Sequence, residues 1–452
     1  MSTTTVVSDW LFLNKTTCKN VFQPESQREL VHFIKNSSCT VSIAGAQFSH
    51  GGQTLPINDQ SCMISMTKLN RFIKANDQEY TVESGITWKD VILNLEKQGL
   101  VPIEMQSYSS FTVGGAVSVN AHGRSGGRVG DTIISMTVCL ADGTVITCSK
   151  SECTDLFSAV IGGYGLIGII MTVTLRPRKN FPITCHVKMR AFHTDLYTDV
   201  LHYSKHAALY NCNITNSGYQ HIYWTKGRKI QLGTDARESF SWHQKENALT
   251  HLFTRLGEQL ISISPTILNL KQKMDSCQHG NTQMLSYEMT YSAKDLAPLT
   301  ELRYLQSTLQ EYFVPLDQCN HFAHILLKII RKYRVNMVNC SVRYVRGNNS
   351  LAGGVLNWAP ENRIAFVLYI NTVDMANNRV QKHYRKWTQK LVNSVTRLGG
   401  TWYLPYVPVF TPENLIKGYP KLDDFRLIKE KYDPSCRLQS HFGGKLFSNP
   451  VE

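Results

Sequence analysis

The stretch from Val41 to Gln53, VSIAGAQFSHGGQ, constrains this 452-residue chain more than any other. An apolar, β-branched run from Val41 to Ile43 stops at a loop holding Gly45, Ala46, Gly51 and Gly52. Small residues let a backbone curl tightly and bring its N–H groups close to an anion. The same style of loop returns at FTVGGAVSVNAHGRSGG, Phe111 to Gly127, and again at IGGYGLIGII, Ile161 to Ile170. Three glycine-rich turns in the N-terminal third, each beside a strand-like run, imply a backbone cradle for a large phosphate-bearing cofactor. Neither a Rossmann nor a P-loop unit is read in them.

The connecting pieces add to this pattern. TVESGITWKDVILNLEKQGL, Thr81 to Leu100, reads as strand–Gly–helix, and LADGTVITCS, Leu140 to Ser149, as a hairpin. In joint order and spacing the chain resembles the FAD-linked oxidases and dehydrogenases of the vanillyl-alcohol oxidase / p-cresol methylhydroxylase superfamily. The resemblance is closest to a bacterial branch of FAD-binding oxidoreductases. It implies an α+β, two-domain fold: an FAD-binding domain over 1–178, a substrate domain of antiparallel sheet plus helices over 179–428, and a segment over 429–452 that returns to the first domain. It also implies cofactor contacts. The first loop, Gly45, Ala46, Gln47, Phe48, Ser49, His50, Gly51, Gly52 and Gln53, would wrap the pyrophosphate. Thr112, Val113, Gly114, Gly115, Ser118, Ala121, His122 and Gly123 would run along pyrophosphate and isoalloxazine, with His122 near the pyrophosphate or ribityl chain. Gly165, Gly168 and Ile169 would close against the cofactor, and His441 in the tail KEKYDPSCRLQSHFGGKL would touch the flavin. Many relatives bond flavin covalently to a His in the first loop. That place falls at Gln47 or Phe48 here, so non-covalent FAD is expected.

Composition is that of a globular chain, 42% hydrophobic and 18% charged. No apolar run reaches the roughly 20 residues that span a bilayer, and the N-terminus lacks the basic flank and apolar core of a signal peptide. A cytoplasmic protein is expected. Twelve cysteines are scattered with no C-x-x-C pair, and fifteen histidines show no H-E-x-x-H spacing, so no metal is expected. The scattered cysteines read as buried, reduced thiols. The formal charge of +14 is carried by clusters at Lys226–Lys229, Lys271–Lys273, Lys328–Arg334 and Arg379–Lys390. No nucleic-acid module is present. Such a basic balance suits an anionic substrate or a peripheral contact with an acidic membrane as well as a solvated surface.

Along the chain, Ser26 with Glu29 starts a helix to Asn36. Strands are expected at Tyr80–Glu83, Ser135–Leu140 and Ile169–Leu175, and beyond Pro182 at His186–Phe192, Gly218–Thr225, Met284–Tyr291, Gln310–Val314, Val338–Val345 and Arg363–Ile370. Helices are expected at Asp317–Tyr333 and Val380–Leu398, with Trp387 and Leu391 facing inward. The stretch 238–273 reads as helical and irregular, a lid or membrane contact.

Flavin oxidation of an alcohol moves a hydride to the flavin while a base takes the hydroxyl proton; the protein positions, polarises and excludes water. The candidate groups lie on three segments: Glu311 in QEYFVP, Arg343 in SVRYV, and Tyr403 and Tyr406 in GGTWYLPY. Strand alternation puts Glu311 and Phe313 on one face and Tyr312 on the other. The resemblance implies a Lys base where Tyr406 stands, and this chain lacks it. A phenol is a poor base unless a cation such as Arg343 lowers its pKa of about 10. The expected activity is oxidation of a hydroxyl on a sugar, polyol or glycosyl-lipid-like substrate, small or lipid-linked. Two other readings stay open: a carbon–carbon double-bond reductase, and a degenerate flavin-fold binding module.

Overall fold

The computed structural model describes residues 4–10, 14–215, 218–227, 279–286, 288–289, 306–372, 375 and 377–447. The expected lid or membrane segment at 238–273 lies outside them, as do the basic clusters at 228–229 and 271–273.

After a short antiparallel pair, Thr5–Ser8 with Lys15–Cys18, the chain builds a three-stranded parallel sheet from Asn20–Phe22 (β1), Val41–Ala44 (β2) and Cys62–Ser65 (β3), in the order β1-β3-β2. Helix α1, Gln27–Asn36, connects β1 to β2. Ser26 caps it by accepting from Glu29 N. The Glu29 carboxylate accepts from Glu25 N, one residue before the cap. Leu30 and Ile34, one turn apart, are the buried face. A five-stranded antiparallel sheet follows, from Phe72–Ala75 (β4), Tyr80–Glu83 (β5), Ile133–Cys139 (β6), Val145–Ser149 (β7) and Ile169–Leu175 (β8), in the order β7-β6-β8-β5-β4. All four residues of β5 are buried, because helices α2 (Trp88–Glu96) and α3 (Val113–Ser118) follow it over the same core.

Gly163, Gly165 and Gly168 do carry a G-x-G-x-x-G spacing. The segment runs from helix α4, Thr154–Val160, into strand β8. A dinucleotide fingerprint needs the opposite order, strand into helix, so the Rossmann reading fails on topology rather than on spacing.

From Pro182 onward an eight-stranded antiparallel sheet forms from Pro182–Ala191 (β9), Leu209–Ile214 (β10), Gly218–Lys226 (β11), Thr282–Met284 (β12), Gln306–Pro315 (β13), Met337–Val345 (β14), Arg363–Thr372 (β15) and Thr401–Trp402 (β16). Its order is β12-β9-β11-β10-β14-β15-β13-β16. Helices α5 (Leu196–Ser204), α6 (Cys319–Lys332) and α7 (Asn378–Arg397) pack on one face. Tyr312 points that way and meets Phe322 of α6, with ring centroids 5.7 Å apart. Tyr384, Trp387, Leu391 and Val395 are buried on α7 at helical spacing. The fold is thus mixed helix and sheet, of α+β type.

One strand expectation is corrected. Met284–Tyr291 is not a strand: β12 ends at Met284, and Leu285, Ser286, Glu288 and Met289 are helical. Leu285 and Met289, four apart, are both buried, and that is a helix period read as alternation.

The tail comes back to the first sheet after helices Pro412–Gly418 (α8) and Leu422–Tyr432 (α9). Val41 N donates to Arg437 O at 2.8 Å and Gln439 N to Val41 O at 2.9 Å, so the tail runs alongside β2. Helix α10, His441–Phe447, follows. Arg128, fully buried, ties the second loop to the connection beyond β14. It donates to Arg346 O, Ala359 O and Asn357 Oδ1, with its guanidinium 4.7 Å from the Trp358 ring centroid.

Candidate active site

The second face of the large sheet, opposite the helices, looks onto the three glycine-rich loops. Between them lies a cavity holding about 1730 Å3 of space, its mouth included. Register brings the sheet residues to it. Glu311 pairs with Val367, and Leu309 with Tyr369, across β13 and β15. Ser341 and Arg343 on β14 pair with Val367 and Ala365. Cross-strand partners share a face, so Leu309, Glu311, Val367, Tyr369 and Arg343 all line the cavity.

Of the residues expected at the cofactor, Gly45, Ala46, Gln47, Phe48, Ser49, His50 and Gln53 line the cavity from the first loop. Thr112, Gly114, Gly115, Ser118, Ala121 and His122 line it from the second, and Gly165 and Gly168 from the third. All four expected catalytic residues, Glu311, Arg343, Tyr403 and Tyr406, line it as well. Gly51, Gly52, Val113, Gly123, Ile169 and His441 do not. Val113 and Ile169 are fully buried in the core beneath the loops. His441 sits behind the first loop, where a Cβ on Gly52 would lie 2.9 Å from its own Cβ. Gly123 packs on the Met105 carbonyl.

Sequence reasoning missed Trp10, Tyr108, Phe111 and Tyr369. The rings of Trp10, Phe48, Phe111 and Tyr108 form a continuous chain along the cavity wall, with successive centroids 4.9, 4.6 and 5.0 Å apart. The only sequence signal for it was the density of aromatics in QSYSSFT beside the second loop.

At the centre stands a buried acid–base pair. His122 Nε2 lies 2.6 Å from Glu311 Oε1, and both side chains are 2% exposed. Phe313, Trp358 and Tyr403 surround the imidazole, with ring centroids 5.6, 4.9 and 5.9 Å from it. His122, expected near the pyrophosphate or ribityl chain, lines the cavity and is also the partner of the expected catalytic carboxylate. Arg343 donates from Nε to Asn211 Oδ1 at 3.4 Å. The Tyr403 hydroxyl donates to Val119 O at 2.9 Å, tying β16's extension to the second loop.

The Tyr406 hydroxyl lies close enough to Glu311 to feel its charge. Burial, then the negative charge of Glu311, pushes this phenol well above its ordinary range, against a smaller downward pull from Arg343. Tyr406 as a base aided by Arg343 is therefore corrected: the cation is present, but it is outweighed, and the phenol stays a neutral hydrogen-bond donor. Tyr403 is likewise pushed up, chiefly by burial. Tyr108 and Tyr369 are raised in the same way, chiefly by burial.

The cavity fits a polar, extended cofactor. Ser84 Oγ, Gln106 Oε1, His50 Nδ1 and His122 Nδ1 all belong to cavity-lining residues and have no hydrogen-bond partner among the described residues. Buried polar atoms of this kind ordinarily find partners. Gly115 is the glycine most open to the cavity: a Cβ there would approach only Thr112 Oγ1, at 2.9 Å. Gly114 differs, since a Cβ there would lie 2.7 Å from Ser84 Cβ and 3.0 Å from its carbonyl oxygen. Burial pushes the His50 imidazole down to about 4, so it is neutral at neutral pH.

Residues 19–149, which contain the first two loops, match the family model described as FAD binding domain. The N-terminal third of this protein is an FAD-binding domain. It is of the p-cresol methylhydroxylase type that the loops implied. The chain is similar to L-gulonolactone oxidase of Mus musculus, 32% identical over 162 residues, 34% of this chain and 36% of that one. It is also similar to D-arabinono-1,4-lactone oxidase of Yarrowia lipolytica, 30% identical over 179 residues, 37% and 34% of the two chains. Cytokinin dehydrogenase 1 of Arabidopsis thaliana is 29% identical over 160 residues, 34% and 28%. The matched stretches span about a third of the length of these relatives.

Proposed function

We propose that this protein is an FAD-dependent oxidoreductase that oxidises a hydroxyl-bearing carbon of a sugar, sugar lactone, polyol or glycosyl-lipid-like substrate, with FAD held non-covalently. The carrying observation is the buried His122–Glu311 pair, which joins the second glycine-rich loop to the large sheet at the wall of the cavity. FAD, when bound, supplies the hydride acceptor. Glu311 takes the hydroxyl proton, His122 fixes the carboxylate from behind, and the neutral Tyr406 hydroxyl orients the oxygen. Arg343 offers positive charge toward an oxygen that becomes anionic as its proton leaves. The aromatic chain from Trp10 to Tyr108 excludes water from one side. The names of two relatives, both sugar-lactone oxidases, support a polyhydroxylated substrate. Gln47 and Phe48, where covalent relatives carry a His, support a non-covalent flavin. The change to the large sheet at Pro182 and the tail's pairing with β2 support a division into domains at 1–178 and 179–428, with 429–452 as a segment returning to the first.

The test is anaerobic. The purified holoprotein is mixed with a panel of sugars, lactones, polyols and prenyl-glycans while its visible flavin band is followed. Bleaching by at least one of them supports this reading. Reduction by a nicotinamide donor alone, followed by reoxidation with an enone, would favour a double-bond reductase. A protein that stays colourless after FAD is added would favour a binding module.

A further inference from the structure

Away from the cavity, two cysteines that the proposed chemistry does not use approach each other closely. Cys39 Sγ and Cys62 Sγ are 2.8 Å apart. A disulfide bond is about 2.05 Å long, so less than 1 Å of sulfur movement separates the two states. The backbone is already in place: Cys62 N donates to Thr40 O at 2.9 Å, and β2 and β3 pair in register from Val41 and Cys62 onward. The residues between the two cysteines include the whole first glycine-rich loop, Gly45 to Gln53.

We propose that Cys39 and Cys62 form a peroxide-sensitive modification site that closes, by a disulfide, the chain segment holding the first cofactor loop. Cys39 is the entry point. It is half-buried and lines a surface groove with Lys19, His32, Asn36 and Asn58, so a small oxidant reaches it. The Ser37 hydroxyl, 2.8 Å from Cys39 Sγ, can donate to the sulfur when it is a thiolate. Cys62 is buried, and burial first and its neighbour Cys39 second push its thiol up to about 12. It is therefore the resolving group rather than the first to react.

The chemistry balances with hydrogen peroxide as oxidant. The Cys39 sulfur attacks one peroxide oxygen, giving a sulfenic acid and one water. The Cys62 sulfur then attacks the sulfenic sulfur, the S–O bond breaks, and a second water leaves with the two thiol protons accounted for. Two thiols lose two electrons in all, and one peroxide becomes two waters. In a reducing compartment the bond would be transient, as expected of a sensing pair.

The experiment uses the full-length holoprotein. It is treated with equimolar hydrogen peroxide, alkylated, digested without reductant and mapped by mass spectrometry. The expected result is a peptide linking Cys39 to Cys62, absent before treatment and removed by dithiothreitol. The oxidised form should also melt about 3–4 °C higher, from the chain entropy removed by closing a loop of this length. In Cys62→Ser, Cys39 should stop at a sulfenic acid trapped by dimedone. Full alkylation of Cys39 and Cys62 after peroxide would overturn the proposal, whatever the variant does. So would first oxidation at the exposed Cys436, or equal melting of the linked and reduced forms.

Discussion

Glu311 meets two proton-bearing partners at the cavity wall, His122 behind it and the Tyr406 hydroxyl beside it. They differ in what they can give up. Tyr406 is held as a neutral phenol by burial and by Glu311, so its worth is that of one hydrogen bond, about 1 kcal/mol or somewhat more. Tyr406→Phe should slow flavin reduction by roughly 10-fold, with no change on the alkaline side of the pH profile up to about pH 10; a large loss, or a new alkaline limb, would restore the phenol as base. His50 offers a stability test in the apoprotein. Its pKa is lowered from 6.5 to about 4 by burial. Between those values the unfolded chain binds a proton that the folded chain refuses, so stability falls as pH drops from about 6.5 to about 4 and is unaffected above that window. The stability advantage of the wild type over His50→Gln should therefore shrink by about 3 kcal/mol across that window, at about 1.4 kcal/mol per unit. Chemical denaturation at a series of pH values measures it, and a constant difference would show that His50 titrates normally.

At the scale of elements, the two adjacent glycines of α3 separate packing from binding. Gly114 lies against Ser84, just past β5, with no room for a Cβ, whereas Gly115 is open toward the cavity. Gly115→Val should lose FAD while its apoprotein stays folded, with at most the roughly 1 kcal/mol that disturbing the Thr112 cap costs. Gly114→Val should lose stability itself. Flavin content and thermal melting together decide this; equal flavin content in Gly115→Val would make the pair a turn and no more. These loops were legible in the sequence because glycine spacing is local. So was the alternation of Glu311 and Phe313 against Tyr312, because strand period is local too. Tyr369 and Tyr108 were not legible: their place at the cavity depends on the β13–β15 register and on a loop folding back, neither of which local pattern encodes. Met284–Tyr291 failed for a related reason, since a short run with apolar residues at two spacings fits either period. The pairing of His122 with Glu311 was not legible, because the two lie 189 residues apart.

At the scale of the whole molecule, one basic surface lies on the helical side of the large sheet, away from the cavity. Helix α7 exposes Arg379, Lys382, Arg385, Lys386 and Lys390 and contains no acidic residue, and α6 exposes Lys328, Arg331 and Lys332 with none either. His383 lies 3.1 Å from the Tyr333 carbonyl oxygen, which brings the end of α6 beside the start of α7 and joins the two rows. Among the described residues, none of these lysines or arginines is in an ion pair. No helix of the described residues is long and apolar enough to cross a membrane, so any membrane contact made by these helices would be peripheral. Binding to acidic vesicles at low salt should weaken steeply as the Debye length shrinks from about 30 Å at 0.01 M to about 8 Å at 0.15 M; equal binding to neutral vesicles, or none to either, would make the face a solvated surface. The two basic runs were legible in the sequence, but their joining side by side on one helical layer was not.

The central claim is that Glu311 removes a hydroxyl proton while the substrate's hydride leaves for the flavin. The most direct measurement compares wild type with Glu311→Gln, both loaded with FAD, in anaerobic rapid mixing with whichever hydroxyl substrate bleaches the wild-type flavin fastest. Gln keeps the size and can keep a hydrogen bond to His122 but cannot serve as the proton acceptor. The variant should reduce its flavin roughly 10²–10⁴-fold more slowly, the usual worth of a positioned general base, with flavin content unchanged. Reduction at the wild-type rate would contradict the account and leave Glu311 a structural partner of His122.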